Sequence, residues 1–600
     1  MLHTREDSVR GSSPCLHIRD ECPFRSELER DLFSLSRANW WYVEVTPKAD
    51  SPSIVTDSVL SNLKLAIMRS WRDSSMSVSP LDMDPSSGPE LIRANSSWTN
   101  EKFVPIVLLI LGGVYCSLLL LSELLPFVDL PFHLSVATVV RGYGESSNQF
   151  SDYFSLQMAG QPNVLYIWFC SAPIFPSVEF ANKVYFALYT FMLPFSVFAL
   201  IRTLGGNTWF SVLSFLYIYN FNTHWGFVGF VGAMPAVFFL FTTLVLHLRA
   251  PSWKTRAAIA VGSFALFFIH VLAAVFFLLT YWLTCLFDKR LTVRGTIASV
   301  ALTLPLISLI GWWWLGTEHS GEQTLVEFLS NYYSNLYVGS LYVRSFFFIF
   351  DNSYLAGQYA GLVFGGLIAL VSVLFIGWAL IMENAAIVAA VKNPEHQPAL
   401  IFAGAAAGCF WLLPEGLPGQ WALNQRFSVY SVLGLIVLSS VIDLKRMPRE
   451  WVVGIIAAAC VMHAVLYADY FRDFGIESAG FTDEILPEAE GNRLAGLILE
   501  PHFRGTLSYL HFSNYYIVRK QGIAVSRMVD FRFGTVRRKF EDGRLPEAKM
   551  RFDMTPDYSG EYDDIDYLVV RGDLSADMRD SLLNFEEKTR TGDWSLLVRR

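Results

Sequence analysis

Apolar residues in this chain come in blocks, and the lengths of those blocks limit the fold more than any other feature. Eleven stretches, at about 103–121, 179–201, 208–222, 228–248, 256–269, 271–287, 295–315, 359–382, 398–413, 428–444 and 451–469, approach the length needed to cross a bilayer, roughly 20 residues as a helix. Backbone in lipid must satisfy its own hydrogen bonds, and continuous apolar blocks do so as helices. With 53% hydrophobic and only 17% charged residues over 600 positions, the chain has too few charges to cover a soluble fold of its size. It reads as a membrane all-α protein with about 11 transmembrane helices and a small C-terminal α+β soluble domain.

The block from Ala257 to Phe287 is too long for one ordinary span and short for two. Arg249, Lys254 and Arg256 precede it, and Lys289, Arg290 and Arg294 follow it. Basic residues favour the cytoplasmic side. Both ends therefore share that side, and the block is expected to be a hairpin turning near His270. The same bias orders the rest. Residues 1–102 carry twelve Lys and Arg, the loop 122–178 carries only Arg141, the loop 316–342 carries none, and the connection 443–450 holds Lys445, Arg446 and Arg449. This places the N-terminus in the cytoplasm, and loops 122–178, 316–358 and 414–427 outside, together with everything after about 470. The localisation implied is multi-pass in the plasma (inner) membrane.

Three regions follow. Residues 1–102 are polar, with a Ser/Pro/Asp run from Ser74 to Pro89 that reads as flexible; no signal-peptide core follows the start. Residues 103–469 form the transmembrane core, with a long first outside loop at 122–178. Residues 470–600 form an extracytoplasmic α+β domain, with strands expected at Tyr567–Arg571 and Trp594–Val598 and a helix over Asp577–Glu587. The seven cysteines show no CxxC or Cys/His pattern and read as packing residues. No P-loop, dinucleotide fingerprint or nucleic-acid motif is present.

The first outside loop holds the most informative residues. Directly after the first span come Glu123, then Asp129-Leu-Pro-Phe-His133 and Arg141. Pro131 suits the first turn of a helix. Asp129 then sits at the helix start, and His133 lies one turn on. A carboxylate at the bilayer edge serves as a general base or binds a cation. It also serves as an ordinary N-cap, and residue types alone favour capping.

Asp129-Leu-Pro-Phe-His133, placed just after the first span and followed by amphipathic segments and Pro162-Asn-Val-Leu-Tyr166, resembles the first luminal loop of the GT-C superfamily. These integral membrane glycosyltransferases, among them protein O-mannosyltransferases and aminoarabinose transferases, use polyprenyl-phosphate sugars. The general plan of helical core, long first loop and terminal soluble domain is similar too. The resemblance implies that Asp129 is the catalytic or metal-binding residue. No Asp-x-Asp pair accompanies it, so the resemblance leaves a divalent metal open and names no other cofactor. The implied partners are a polyprenyl-phosphate sugar donor, a glycan, lipid or protein acceptor, and the bilayer itself, with no nucleic acid.

Transfer from such a donor needs a base for the acceptor hydroxyl and cationic groups for the departing phosphate. Arg426 lies just before a span on the outside, where few basic residues belong. It is suited to clamping a phosphate or to anchoring a helix end. Further candidates for substrate or lipid-phosphate binding are His133, His270, Arg344, Glu318 and His319, the last two following Trp312-Trp313-Trp314. His224 is expected at another outer turn. His502, His511, Tyr515 and Tyr516 form an aromatic-rich patch in the soluble domain, suited to holding an acceptor sugar, though packing is the default role of such residues. A transporter and a non-catalytic envelope-assembly scaffold are the alternatives. No internal repeat of the transporter kind is visible, and the acids gather at one interface.

Overall fold

The structure is a computed structural model; it describes residues 101–288, 291–316, 332–333, 341, 344–345, 348, 384–416, 422–442, 449–488, 493–525, 534–539 and 565–600. The expected polar segment up to residue 100, the expected span 359–382, most of the loop 316–358 and the basic residues Lys445 and Arg446 lie outside the described residues. Residues Ser97–Arg600 form one compact unit.

Helices dominate. In order they are α1 (Val104–Leu118), α2 (Leu130–Gly142), α3 (Leu165–Ser171), α4 (Val178–Leu204), α5 (Val228–Arg249), α6 (Trp253–Ile269), α7 (Val271–Phe287), α8 (Val293–Ala301), α9 (Leu304–Leu315), α10 (Gln397–Leu412), α11 (Ser428–Ser440) and α12 (Arg449–Glu477). Among the described residues four helices are long and apolar enough to cross a membrane: Glu101–Leu118, which extends α1 by one turn, then α4, α5, and Val453–Gly480, which runs from within α12. The pair α8–α9, bent by 50°, makes a fifth if it counts as one broken span. The chain is a multi-pass membrane protein, and the expected count of eleven reduces to four or five among the described residues. The apolar helices α7 and α10 fall in the 10–17-residue range, short of the roughly 20 that a bilayer requires.

The Ala257–Phe287 block is broken at the expected residue. Helices α6 and α7 meet at His270, whose extended backbone (φ −166°, ψ 119°) breaks the helix. The expected span at 208–222 is different. It is a 3-10 helix over Thr208–Tyr217, then a single α-turn over Phe221–His224. Asn207 and Asn220 start these two pieces, their side-chain oxygens accepting from Trp209 N (3.1 Å) and Asn222 N (2.9 Å). Such short Asx bonds compete with a continuous helix. Phe210, Val212, Phe215 and Leu216 are buried, so this block is apolar because protein surrounds it.

Helix α12 carries the chain into the terminal domain, burying Tyr467, Tyr470, Phe471 and Phe474. The domain holds β2 (Arg493–Ile498), β3 (Ile523–Ala524), β5 (Tyr567–Arg571), β6 (Phe585–Thr591) and β7 (Trp594–Arg599), in the order β3-β2-β5-β7-β6. Strand β2 is parallel to β3 and β5, and β7 is antiparallel to β5 and β6. Both expected strands are present. The expected helix Asp577–Glu587 is shorter, Ala576–Ser581, because Phe585–Thr591 turns back at Gly592 (φ +59°) to pair with β7. This edge strand exposes Glu586, Glu587 and Lys588, charges that discourage further pairing.

One face of the sheet packs into the same core as the helices. Trp594 of β7 stacks on Phe512 (5.5 Å, 18°), and Phe474 of α12 stacks on Tyr509 (5.4 Å, 23°). The first outside loop also pairs with the domain. Its strand β1 (Phe154–Leu156) is antiparallel to β4 (Val536–Arg538), with Phe154 opposite Arg538 and Leu156 opposite Val536. Arg519 adds an ion cluster, reaching Glu123, Glu179 (3.4 Å) and Asp483 (3.4 Å).

Candidate functional site

The turn 220–227 positions the site. Its backbone takes the place of a strand partner for the start of α2: Val128 N donates to His224 O (2.9 Å) and Asp129 N to Trp225 O (3.1 Å). Gly226 sits at φ +73°, and a Cβ there would lie 2.9 Å from Asp129 N and 3.0 Å from Leu130 N. Only glycine combines that left-handed backbone with so close an approach. The same turn holds the opposite wall, since Asn222 Nδ2 donates to Arg426 O (3.2 Å). Phe227 lies flat beneath the Arg426 guanidinium, 3.9 Å from ring centroid to Cζ, a cation–π contact. One short segment thus fixes Asp129 and Arg426 together.

Asp129 occupies the N-cap position of α2 but does not cap it. Capping residues take extended backbone so that the side chain can fold back onto the first amides. Ser177 and Ser252 do so here, at φ −145°, ψ 163° and φ −136°, ψ 161°, accepting from Phe180 N and Thr255 N. Asp129 instead has helical backbone (φ −83°, ψ −1°) and makes no side-chain cap bond. Its carboxylate turns away, with Oδ1 3.5 Å from His511 Nε2 and 18% of the side chain exposed.

Arg426 sits in the 3-10 turn Gln425–Phe427 that leads into α11. Burial pulls its guanidinium down to about 10, and the nearby Asp129 carboxylate pushes the other way. It remains a cation at neutral pH. His133, one turn into α2, meets Tyr166 edge-on (5.9 Å). Burial lowers its imidazole to about 4; Asp129 opposes this, while His511 and Arg426 add to it. His133 is therefore neutral at pH 7, an N–H donor and not a charge. Both residues keep partial exposure. His270 is buried behind them, edge-on to Phe230 (5.2 Å), within electrostatic reach of Arg426 and His133. Its Nδ1 has no hydrogen-bond partner among the described residues.

The structure thus brings together Asp129, His133, His270 and Arg426. It does not bring Arg344 to them. That buried guanidinium donates to Trp411 O (2.8 Å) and Leu413 O (2.7 Å) and to the Tyr332 hydroxyl, closing the end of α10. Arg141 likewise binds Phe175 O (3.0 Å). Glu318 and His319 lie outside the described residues. His224 is buried below the turn, bonded to the Tyr467 hydroxyl (2.9 Å).

His511 is the member that sequence reasoning left among packing residues. No local signal marks it, because its partner lies in the first loop. Among the described residues no three His, Cys, Asp or Glu side chains converge to hold a metal ion. The donor set around Asp129 is one carboxylate facing histidines and an arginine, which suits an anion better than a cation.

Neither a protein-family model nor a curated protein matches the chain. Solved structures do. The apo crystal structure of ArnT from Cupriavidus metallidurans is 13% identical and aligns over 83% of this chain and 97% of its own, with TM-score 0.45. The cryo-EM structure of arabinofuranosyltransferase AftD from Mycobacteria is 11% identical and aligns over 82% of this chain and 40% of its own, with TM-score 0.39. Likeness at that level is one of outline, and the functional reading rests on the side chains above.

Proposed function

We propose that this protein is a membrane glycosyltransferase of the GT-C kind, moving a sugar from a polyprenyl-phosphate donor to an acceptor hydroxyl at the extracytoplasmic boundary. The observation that carries the reading is the pairing of an uncapped carboxylate, Asp129, with a cationic guanidinium, Arg426, on one turn. A phosphate leaving group needs a fixed cation, and Arg426 is pre-aimed by its stack on Phe227. An acceptor hydroxyl needs a base, and Asp129 has an oxygen available for it. The acceptor oxygen attacks the anomeric carbon as the bond from that carbon to the phosphate oxygen breaks. The lipid phosphate leaves with the electron pair, held by Arg426, and Asp129 takes the hydroxyl proton. Neutral His133 and His270 supply N–H donors to the phosphate oxygens without adding charge. No step is routed through a metal ion.

Incubating the full chain in lipid nanodiscs with farnesyl-phosphoryl mannose or farnesyl-phosphoryl arabinofuranose tests this. Release of the sugar from the carrier, to water or an added glycan, is the expected result. Failure to release either sugar, together with failure to bind undecaprenyl phosphate, refutes it.

A further inference from the structure

The terminal domain does more than cover the membrane core: from the position of His511 we infer that this domain supplies a proton-relay partner for Asp129. The inference rests on the transferase reading above and adds a residue to it. His511 begins the 3-10 turn Phe512–Asn514, and three sets of contacts fix its position. Asn514 closes the turn, its backbone N (3.0 Å) and side-chain Nδ2 (3.1 Å) both donating to His511 O. Phe512 stacks on Trp594 of the domain sheet, 5.5 Å between centroids. Towards the first loop, Ser508 Oγ donates to Pro126 O (3.1 Å) and Ser135 Oγ donates to Asn514 Oδ1 (3.4 Å). The turn that carries His511 is thus held from both sides, and it sets Nε2 3.5 Å from Asp129 Oδ1 with 11% of the side chain exposed.

That separation is slightly long for a hydrogen bond, and catalytic bonds commonly shorten when substrate closes the site. The chemistry calls for such a partner. Each transfer leaves one proton on Asp129, and the carboxylate must lose it before the next acceptor arrives. With polyprenyl phosphate and product still covering Asp129, the small part of the His511 side chain that reaches solvent offers an exit. The acceptor proton passes to Asp129, from Asp129 to the His511 imidazole, and from the imidazole on to water. Imidazole is the side chain best suited to gain and lose a proton near neutrality. Nothing is oxidised or reduced, and the carboxylate and imidazole return to their starting states. His511 is a positioning residue in this scheme, acting through Asp129.

The test uses the full chain with the two farnesyl-phosphoryl sugars and two substitutions. His511→Ala is expected to cut kcat by about 100-fold with the donor KM unchanged, and added imidazole is expected to restore turnover. His511→Gln keeps an N–H donor and a similar volume but cannot carry a proton; it is expected to be as slow as His511→Ala and unmoved by imidazole. Wild-type kcat in His511→Gln overturns the relay, because a hydrogen bond would then suffice. A loss in His511→Ala that imidazole does not repair overturns it as well, leaving a structural role only. If Asp129→Asn stops turnover while the His511 variants do not, the relay fails and the transferase reading stands. If the wild type releases neither sugar and does not bind undecaprenyl phosphate, the transferase reading fails and takes the relay with it.

Discussion

Asp129→Asn separates catalysis from architecture unusually well in this fold. At most N-caps the side chain holds the first amides, and its removal costs about 1 kcal/mol. Here the carboxylate makes no cap bond, and Asn fills the same volume. The structural cost is the loss of a negative charge beside a helix N-terminus, about 0.3–1 kcal/mol, together with the loss of the carboxylate that offsets the burial of Arg426. The catalytic cost is that of a missing general base, roughly 10²–10⁴ in rate, or about 2.7–5.5 kcal/mol on the barrier. Removing the carboxylate also takes away the charge that opposes a phosphate beside Arg426, so donor affinity should hold or rise. The expected signature is a kcat reduced at least 100-fold, an unchanged or lower donor KM, and a melting temperature in detergent lowered by only about a few degrees. Sugar release from a farnesyl-phosphoryl donor gives the first two, and intrinsic tryptophan fluorescence on heating gives the third. A variant that turns over at the wild-type rate would refute the assignment of Asp129 as base.

Three further outcomes follow from the same geometry. Arg426→Ala should weaken binding of undecaprenyl phosphate about 10- to 100-fold, the worth of a charge-assisted hydrogen bond, with Arg426→Lys in between; isothermal titration in nanodiscs would show it, and equal affinities would remove Arg426 from the phosphate site. Gly226→Ala should cost about 1–3 kcal/mol through its left-handed backbone and the approach to Asp129 N and should lower kcat by displacing Asp129; wild-type kcat and melting temperature would contradict that. His133, held at about 4 by burial against about 6.5 when unfolded, makes the unfolded chain bind the extra proton first as pH falls. Its contribution is intact above about pH 6.5 and is lost progressively towards pH 4, at most roughly 3 kcal/mol; His133→Phe should flatten that part of the stability–pH curve, and an unchanged curve would count against it.

The break at His270 was legible because basic residues flank both ends of an apolar block whose length suits neither one span nor two. The 3-10 helix at Thr208–Tyr217 was not, since residues apolar for lipid and residues apolar for a protein core are the same residues. Burial of Phe210 and Phe215 distinguishes the two, and burial is a tertiary property. The helices α7 and α10 were expected as spans and are apolar but short. At the site, Arg426 stood out as a charge where few belong, whereas residue types alone favoured capping for Asp129 and only the resemblance of its loop singled it out. The uncapped state of Asp129 depends on one pair of backbone angles that composition does not report. Arg344 looked like a phosphate ligand by type, yet its geometry satisfies the carbonyls ending α10. His511 was hidden by distance: Ser508 and Pro126, which fasten its turn to the first loop, are 382 positions apart.

The strand pair β1–β4 joins Ser155 to Arg537, also 382 positions apart. A ribosome adding about 5–20 residues per second needs some 20–80 s to supply the second strand after the first. Through that interval the first loop waits without its strand partner, and a nascent chain halted short of β4 lacks this pairing however well its helices have inserted. The loop that carries Asp129 therefore reaches its final fastening only after the helices on either side of it have been made.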